Sequence, residues 1–155
     1  HKMTRAPIER MVYGLRAWLL EHFHEYVARA NLSAGALQAP QLREIIVSDT
    51  MDPGKFPQMI VNAGPVYIQE HGPQTQLVTV SCGVDIGIQA PKPEAREVYL
   101  MRYMDALTDA IGENEILDGL VLQARIEELD KDSIPQDGRG FVVATIALTD
   151  EIVTE

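Results

Sequence analysis

The segment EHFHE at residues 21–25 brings two histidines and two glutamates into five positions, a density that zinc chemistry can use. His24-Glu25 opens as the H-E-x-x-H signature opens, but Ala28 stands where the second histidine belongs. His22 and His24, two apart on a helix, point to opposite sides. The segment is therefore expected to pack rather than to bind metal. A second cluster, LDKDSIPQDG at residues 129–138, resembles a calcium loop at Asp130 and Asp132, the first two ligand positions. Ile134 then occupies a place that needs an oxygen ligand, and the glycine spacing is wrong, so a polar connector is the better reading.

Other chemistries lack their parts. GKF at residues 54–56 has neither the upstream glycine nor the following Ser or Thr of a phosphate loop. There is no G-x-S-x-G, and the lone Cys82 falls on an inward position, which makes it a packing residue and excludes an intramolecular disulfide. Carboxylates are plentiful, among them Glu113, Glu115, Asp118, Glu127 and Glu128, but no spacing singles out an acid/base pair. The expectation is a binding or structural protein, without catalytic residues, metal or cofactor.

The elements that carry these residues are legible from their periods. Ile8, Val12, Leu15, Leu19, Phe23, Tyr26 and Ala30 recur at spacings of three and four behind Pro7, which predicts a helix over 7–30. After the small-residue linker at 31–41, strands are expected at 42–48, 58–63 and 66–70, forming an antiparallel meander. Then, from Val78 to Ala90, every even position is apolar and the odd positions carry Thr79, Ser81, Gly83, Asp85, Gly87 and Gln89. Thirteen alternating residues span about 43 Å at about 3.3 Å per residue, roughly twice a common strand. A second helix is expected over 93–112, a strand through Leu122, Ala124 and Ile126, and a last strand over 140–149. Residues 129–140 between the final strands read as a long, mobile connector.

The predicted class is α+β: a mainly antiparallel sheet with one overlong strand and two helices packed on one face. It is a single domain over residues 4–155, since His1 and Lys2 ahead of Met3 look like the remnant of a tag. Two helices cover one face only, yet the other face of the last strand carries Phe141, Val143 and Ala147. Its cover is either a neighbouring subunit or the linker at 31–41.

Composition narrows the partners. Hydrophobic residues make up 46% of the 155, enough for a core, and no run is long enough to span a membrane. Residues 1–77 balance 7 basic against 7 acidic, whereas 78–155 hold 6 against 16, the whole of the net charge of -10. This acidic half disfavours binding to a nucleic-acid backbone and opposes close approach of copies at low ionic strength.

In the order and lengths of its elements the sequence resembles the tail terminator (tail completion, minor tail) proteins of long-tailed bacteriophages and related prophages. The likeness rests on the long first helix IERMVYGLRAWLLEHF, the overlong strand VTVSCGVDIGIQA, the helix EAREVYLMRYMDALTDAI directly after it, and the closing segments LVLQARIEEL and GRGFVVATIALTD. It implies a structural, non-enzymatic virion protein, assembled in the host cytoplasm. Such a protein forms a ring, usually of six subunits, on the head-proximal end of the tail tube. The ring stops polymerisation of the major tail protein and offers a surface to head-closure or connector proteins, while DNA passes through without sequence-specific binding. In that setting Gly83, Asp85, Gly87, Phe141, Val143 and Ala147 are the expected subunit interface. Asp130, Lys131, Asp132, Ile134, Asp137 and Arg139 are the expected tube-contact loop. The alternatives are another neck protein, joining or closing the head, and a non-viral dimeric ligand-binding module.

Overall fold

Residues 7–32 and 35–153 are described by the computed structural model; the expected tag remnant at His1 and Lys2, and residues 33–34 of the linker, lie outside the described residues. The first helix, α1 (Pro7–Leu32), buries the stripe from Met11 through Leu15, Leu19 and Phe23 to Ala30, two residues longer than its period predicts. The second, α2 (Pro93–Glu113), buries Leu100, Tyr103, Leu107 and Ile111 on the matching side. Five strands lie beneath them: β1 (Glu44–Val47), β2 (Gln58–Glu70), β3 (Thr75–Gln89), β4 (Gln123–Ile134) and β5 (Arg139–Val153). They form one sheet in the order β1-β2-β3-β5-β4, with both helices against one face. The α+β class and the one-sided helical layer are as the sequence implies.

Three expectations about the strands need correction. The segments at 58–63 and 66–70 are not successive strands but one, β2, paired with β3 throughout and interrupted by a bulge between Ala63 and Val66. Gly64 and Pro65 sit in that bulge and gave the sequence the look of a turn. The meander is also not wholly antiparallel, since β1 runs parallel to β2, pairing Glu44 with Gln58 and Val47 with Val61. Residues 48–57 carry the chain back between them.

The third correction concerns the supposed mobile connector at 129–140. Residues Leu129 to Ile134 continue β4 and pair with β5, and only a short 3-10 turn at Pro135–Asp137 separates the two strands. The polar side chains misled the reading. Asp130 and Asp132 project from the uncovered face opposite Val143 and Phe141, while Lys131, on the helix side, reaches Glu97 at 2.7 Å. Gly138 closes the turn at φ +66°, and the turn is tied to the end of β3: the Ala90 N–H donates to Gly138 O at 2.7 Å and Gln89 Nε2 to Asp137 O at 2.6 Å.

The core lies between helices and sheet. Val78, Val80, Cys82, Val84, Ile86 and Ile88 of β3, with Val142, Ala144, Ile146 and Leu148 of β5, form its floor. Cys82 is fully buried as its parity requires, and burial pushes its thiol up to about 12. The described part of the linker, residues 35–41, is held within the helical layer: Arg102 Nη1 donates to Leu37 O at 2.8 Å and Tyr103 Oη to Pro40 O at 2.6 Å. It does not cover the far face of the sheet.

Both side edges of the sheet are partly closed. Arg16 Nε donates to Ile45 O at 2.9 Å on the β1 side, and Glu115 O accepts from the Ala124 N–H at 2.6 Å on the β4 side. Beyond Val61, β2 outruns β1 and has no strand on that side.

Candidate subunit interface on the open sheet face

Strand pairing brings all six predicted interface residues to one face, because Gly87 lies opposite Phe141, Asp85 opposite Val143, Gly83 opposite Thr145 and Ser81 opposite Ala147. They do not share one environment. At the lower end the face is closed by the chain itself. Phe56, from the loop between β1 and β2, stands edge-on to Phe141 with ring centroids 6.1 Å apart. A Cβ on Gly87 would fall 2.5 Å from Phe56 and 2.7 Å from the Met51 sulfur. Gly87 is thus required by the packing of its own loop and not by an approaching neighbour.

Gly83 has a similar internal reason, since the Asn62 carboxamide crosses it and a Cβ would meet its oxygen at 2.7 Å. Asn62 Nδ2 in turn donates to Ser48 O at 3.1 Å, holding the start of the same loop. Ala147, only 1% exposed, faces the row where Glu127 Oε1 accepts from Ser81 Oγ at 3.0 Å and Arg125 pairs with Glu127 at 3.5 Å. Farther up, the Thr79 and Thr149 hydroxyls meet at 2.9 Å. Of the six, the apolar side chain left open is therefore Val143, 43% exposed, with half-buried Asp85 beside it; Tyr67, opposite Thr79, is exposed farther up the same face. Desolvation raises the Asp85 carboxyl pKa, against the opposing pull of the Ala144 backbone N–H.

The predicted tube-contact residues divide between two places. Asp130 and Asp132 join the open face, whereas Lys131 is turned toward α2. Ile134, Asp137 and Arg139 cluster at the end of the β4–β5 hairpin, where Ile134 is exposed and Arg139 Nε donates to Gln89 Oε1 at 3.4 Å. The result is an acidic field of Asp85, Asp130 and Asp132 around Val143.

Among the described residues no group of three or more His, Cys, Asp or Glu is placed to hold a metal ion. His22 stacks on Trp18 at 4.7 Å and lies 3.4 Å from Asp118, while His24 is exposed, so the two diverge as their spacing predicts. A groove of about 450 Å³ opens between the start of α1 and the end of β1, lined by Ile8, Val12, Tyr13, Val47 and Ala63. Its wall is mostly aliphatic and aromatic, with Glu9, Ser48, Asp49 and Asn62 as its polar groups.

Phe56, Met51 and Asn62 are the site residues that sequence reasoning missed. Their types carried a signal, an aromatic and a methionine in a loop otherwise rich in Asp, Pro and Gly, but their destination depends on a parallel pairing that no local pattern records.

No family profile matches the sequence, and no curated protein matches it. Among solved structures, a chain from the virion of a native gene transfer agent (GTA) particle matches with a TM-score of 0.42 and 10% identity, covering 81% of this chain and 91% of that one. A likeness of that size bears on neither role nor partners.

Proposed function

We propose that this chain is a structural subunit of a long-tailed phage or prophage particle. In this reading it forms a ring on the head-proximal end of the tail tube, ends polymerisation of the major tail protein and receives the head-closure protein. The observation that carries the proposal is the pairing of β3 and β5, each of fifteen residues, into a ribbon with one face under helices and the other open. An antiparallel sheet often leaves one face to water, and in this reading that face with its acidic field is a surface offered to the end partners. The resemblance in element order supports the same assignment.

The end of the β4–β5 hairpin is the element proposed to touch the tube. Because it is latched to β3, it meets the tube as a preformed ridge with Ile134 exposed, and no loop has to be ordered on capping. The acidic open surface suits a passage that DNA crosses without adhering.

Co-production with the cognate major tail protein, followed by electron microscopy of the tubes, tests this. The expected result is tubes of bounded length with a ring at one end. Tubes of unbounded length, with no added density at either end, overturn it.

A further inference from the structure

We infer that copies of this chain join head to tail through the two side edges of the sheet, the β1 edge of one copy against the β4 edge of the next. The inference rests on the ring reading above and places the contact at the edges instead of the open face. It comes from two cross-strand rows. In the lower row Glu44, Gln58, Gly87, Phe141 and Asp132 follow one another from edge to edge. At its β1 end stand Arg43 and, in the adjoining turn whose Gly54 O accepts from Arg43 Nη1 at 3.2 Å, Lys55. At its β4 end stand Asp130 and Asp132.

Among the described residues, neither Arg43 nor Lys55 pairs with a carboxylate, and neither Asp130 nor Asp132 pairs with a cation; there the two aspartates accept only from the backbone N–H of the residue that follows, at 2.8 Å. Glu44 and Asp52 share this edge and keep their charges, held by the neutral donors Gln58 Nε2 at 2.7 Å and the Gly54 N–H at 3.0 Å, so the edge is mixed in charge. Two cations and two carboxylates without an ion pair among the described residues thus stand at equal height on opposite edges.

The upper row repeats the match with apolar groups. Ile68 lies opposite Val78, which lies opposite Asp150; Leu122, one residue before Gln123, continues the row at the far edge. Ile68 is 62% exposed and Leu122 56%. A neighbour set edge to edge at the same height therefore brings Ile68 to Leu122 and the cations to the aspartates. A two-fold pairing of β4 edges would instead face Asp130 and Asp132 with themselves, and repulsion opposes it. The contact is heterologous, the type that closes into rings. It is made by side chains, because Arg16 and Glu115 already occupy part of the backbone along these edges.

The test uses paired variants of the full chain. Arg43→Glu with Lys55→Glu gives a copy with two acidic edges, and Asp130→Lys with Asp132→Lys gives a copy with two basic ones. Each alone is expected to raise the concentration for half-assembly by about tenfold or more, and mixing them in equal amounts to restore assemblies with an even number of copies in native mass spectrometry. Independently of how strongly the copies associate, Ile68→Cys with Leu122→Cys should yield a ladder of disulfide-linked multimers under mild oxidation, each single variant stopping at dimers. Buried Cys82 does not compete.

Wild-type rings that survive both reversals, with no ladder from the cysteine pair, overturn the edge contact and leave the ring reading standing. A ladder from a protein that caps no tube supports the contact while the tail assignment fails. Dimers as the end point of the double-cysteine variant overturn the contact.

Discussion

The two faces of β3 are built from alternate residues of one stretch of chain and obey different constraints. On the helix side Val78, Val80, Cys82, Val84, Ile86 and Ile88 are no more than 3% exposed, and each is held by residues from several elements at once. On the other side Thr79, Gly83 and Asp85 stay partly exposed, while Ser81 is covered by Glu127 and Gly87 is sealed by a single loop. The first face is what makes the chain fold. The second is largely free of that duty, so its composition records what the protein meets after folding.

The sharpest way to break this contrast is thiol labelling. With Cys82 on the covered face, reaction with a bulky reagent awaits opening of the core, whereas Val143→Cys on the open face reacts at once. A ratio of roughly a thousandfold or more is expected under native conditions, since core positions open only with the global stability of about 5 kcal/mol or above. Comparable rates would mean that the register of the two long strands is wrong by one residue.

Substitution by charge comes next. Ile146→Asp places a carboxylate among fully buried aliphatic groups and should cost more than about 4 kcal/mol, enough to prevent folding, while Val143→Lys on the same strand, set between Asp85 and Asp130, stays within about 0.5 kcal/mol in the isolated subunit. Urea titrations followed by circular dichroism compare them directly.

An intermediate effect belongs to the one part of the open face that is covered. Phe56→Ala removes the ring against Phe141 and Gly87 and should cost about 3 kcal/mol, the low end for a buried phenylalanine because its cover is one-sided. A loss below about 1 kcal/mol would show that the loop lifts from the sheet in solution.

The smallest effect is at Asp85. Desolvation raises its folded pKa above the unfolded value, so the fold holds the proton more tightly than the unfolded chain does. The charged carboxylate therefore costs stability above the folded pKa, and the cost is relieved as pH falls through it. Asp85→Asn should stabilise by about 0.5 kcal/mol at pH 7, and the gain should shrink on acidification. A gain that grows on acidification reverses the assigned sign.

Periodicity made the helices, the overlong strand and the inward Cys82 legible in the sequence, because each sits in a single environment along its whole length. It also placed Gly83, Asp85, Gly87, Phe141, Val143 and Ala147 on one face, since parity alone determines a face. Where the physics is not local, the pattern was silent. Pro65 at a bulge looks the same as Pro65 in a turn. The direction of β1 relative to β2 leaves no trace in alternation, and the polar residues 130–133 hold a strand only because β5 supplies a partner for each. The cover over Gly87 and Phe141 followed from that unread parallel pairing, so which interface residues are open stayed hidden.

The partly closed edges also bear on the time before assembly. A free subunit accumulates in the presence of its own copies, and long strands with bare backbone at their margins are templates for irreversible cross-β growth. Here the proline and bulge at Gly64 and Pro65 interrupt the run of β2 that no strand covers, Arg16 occupies Ile45 O, and the Glu115 carbonyl takes the Ala124 N–H. What remains at the margins are side chains whose attraction is weak one pair at a time, so mistaken encounters come apart. In the proposed ring reading, the chain would wait at high concentration as a reversible stock, and only a correctly shaped template would hold many weak contacts together long enough to become permanent.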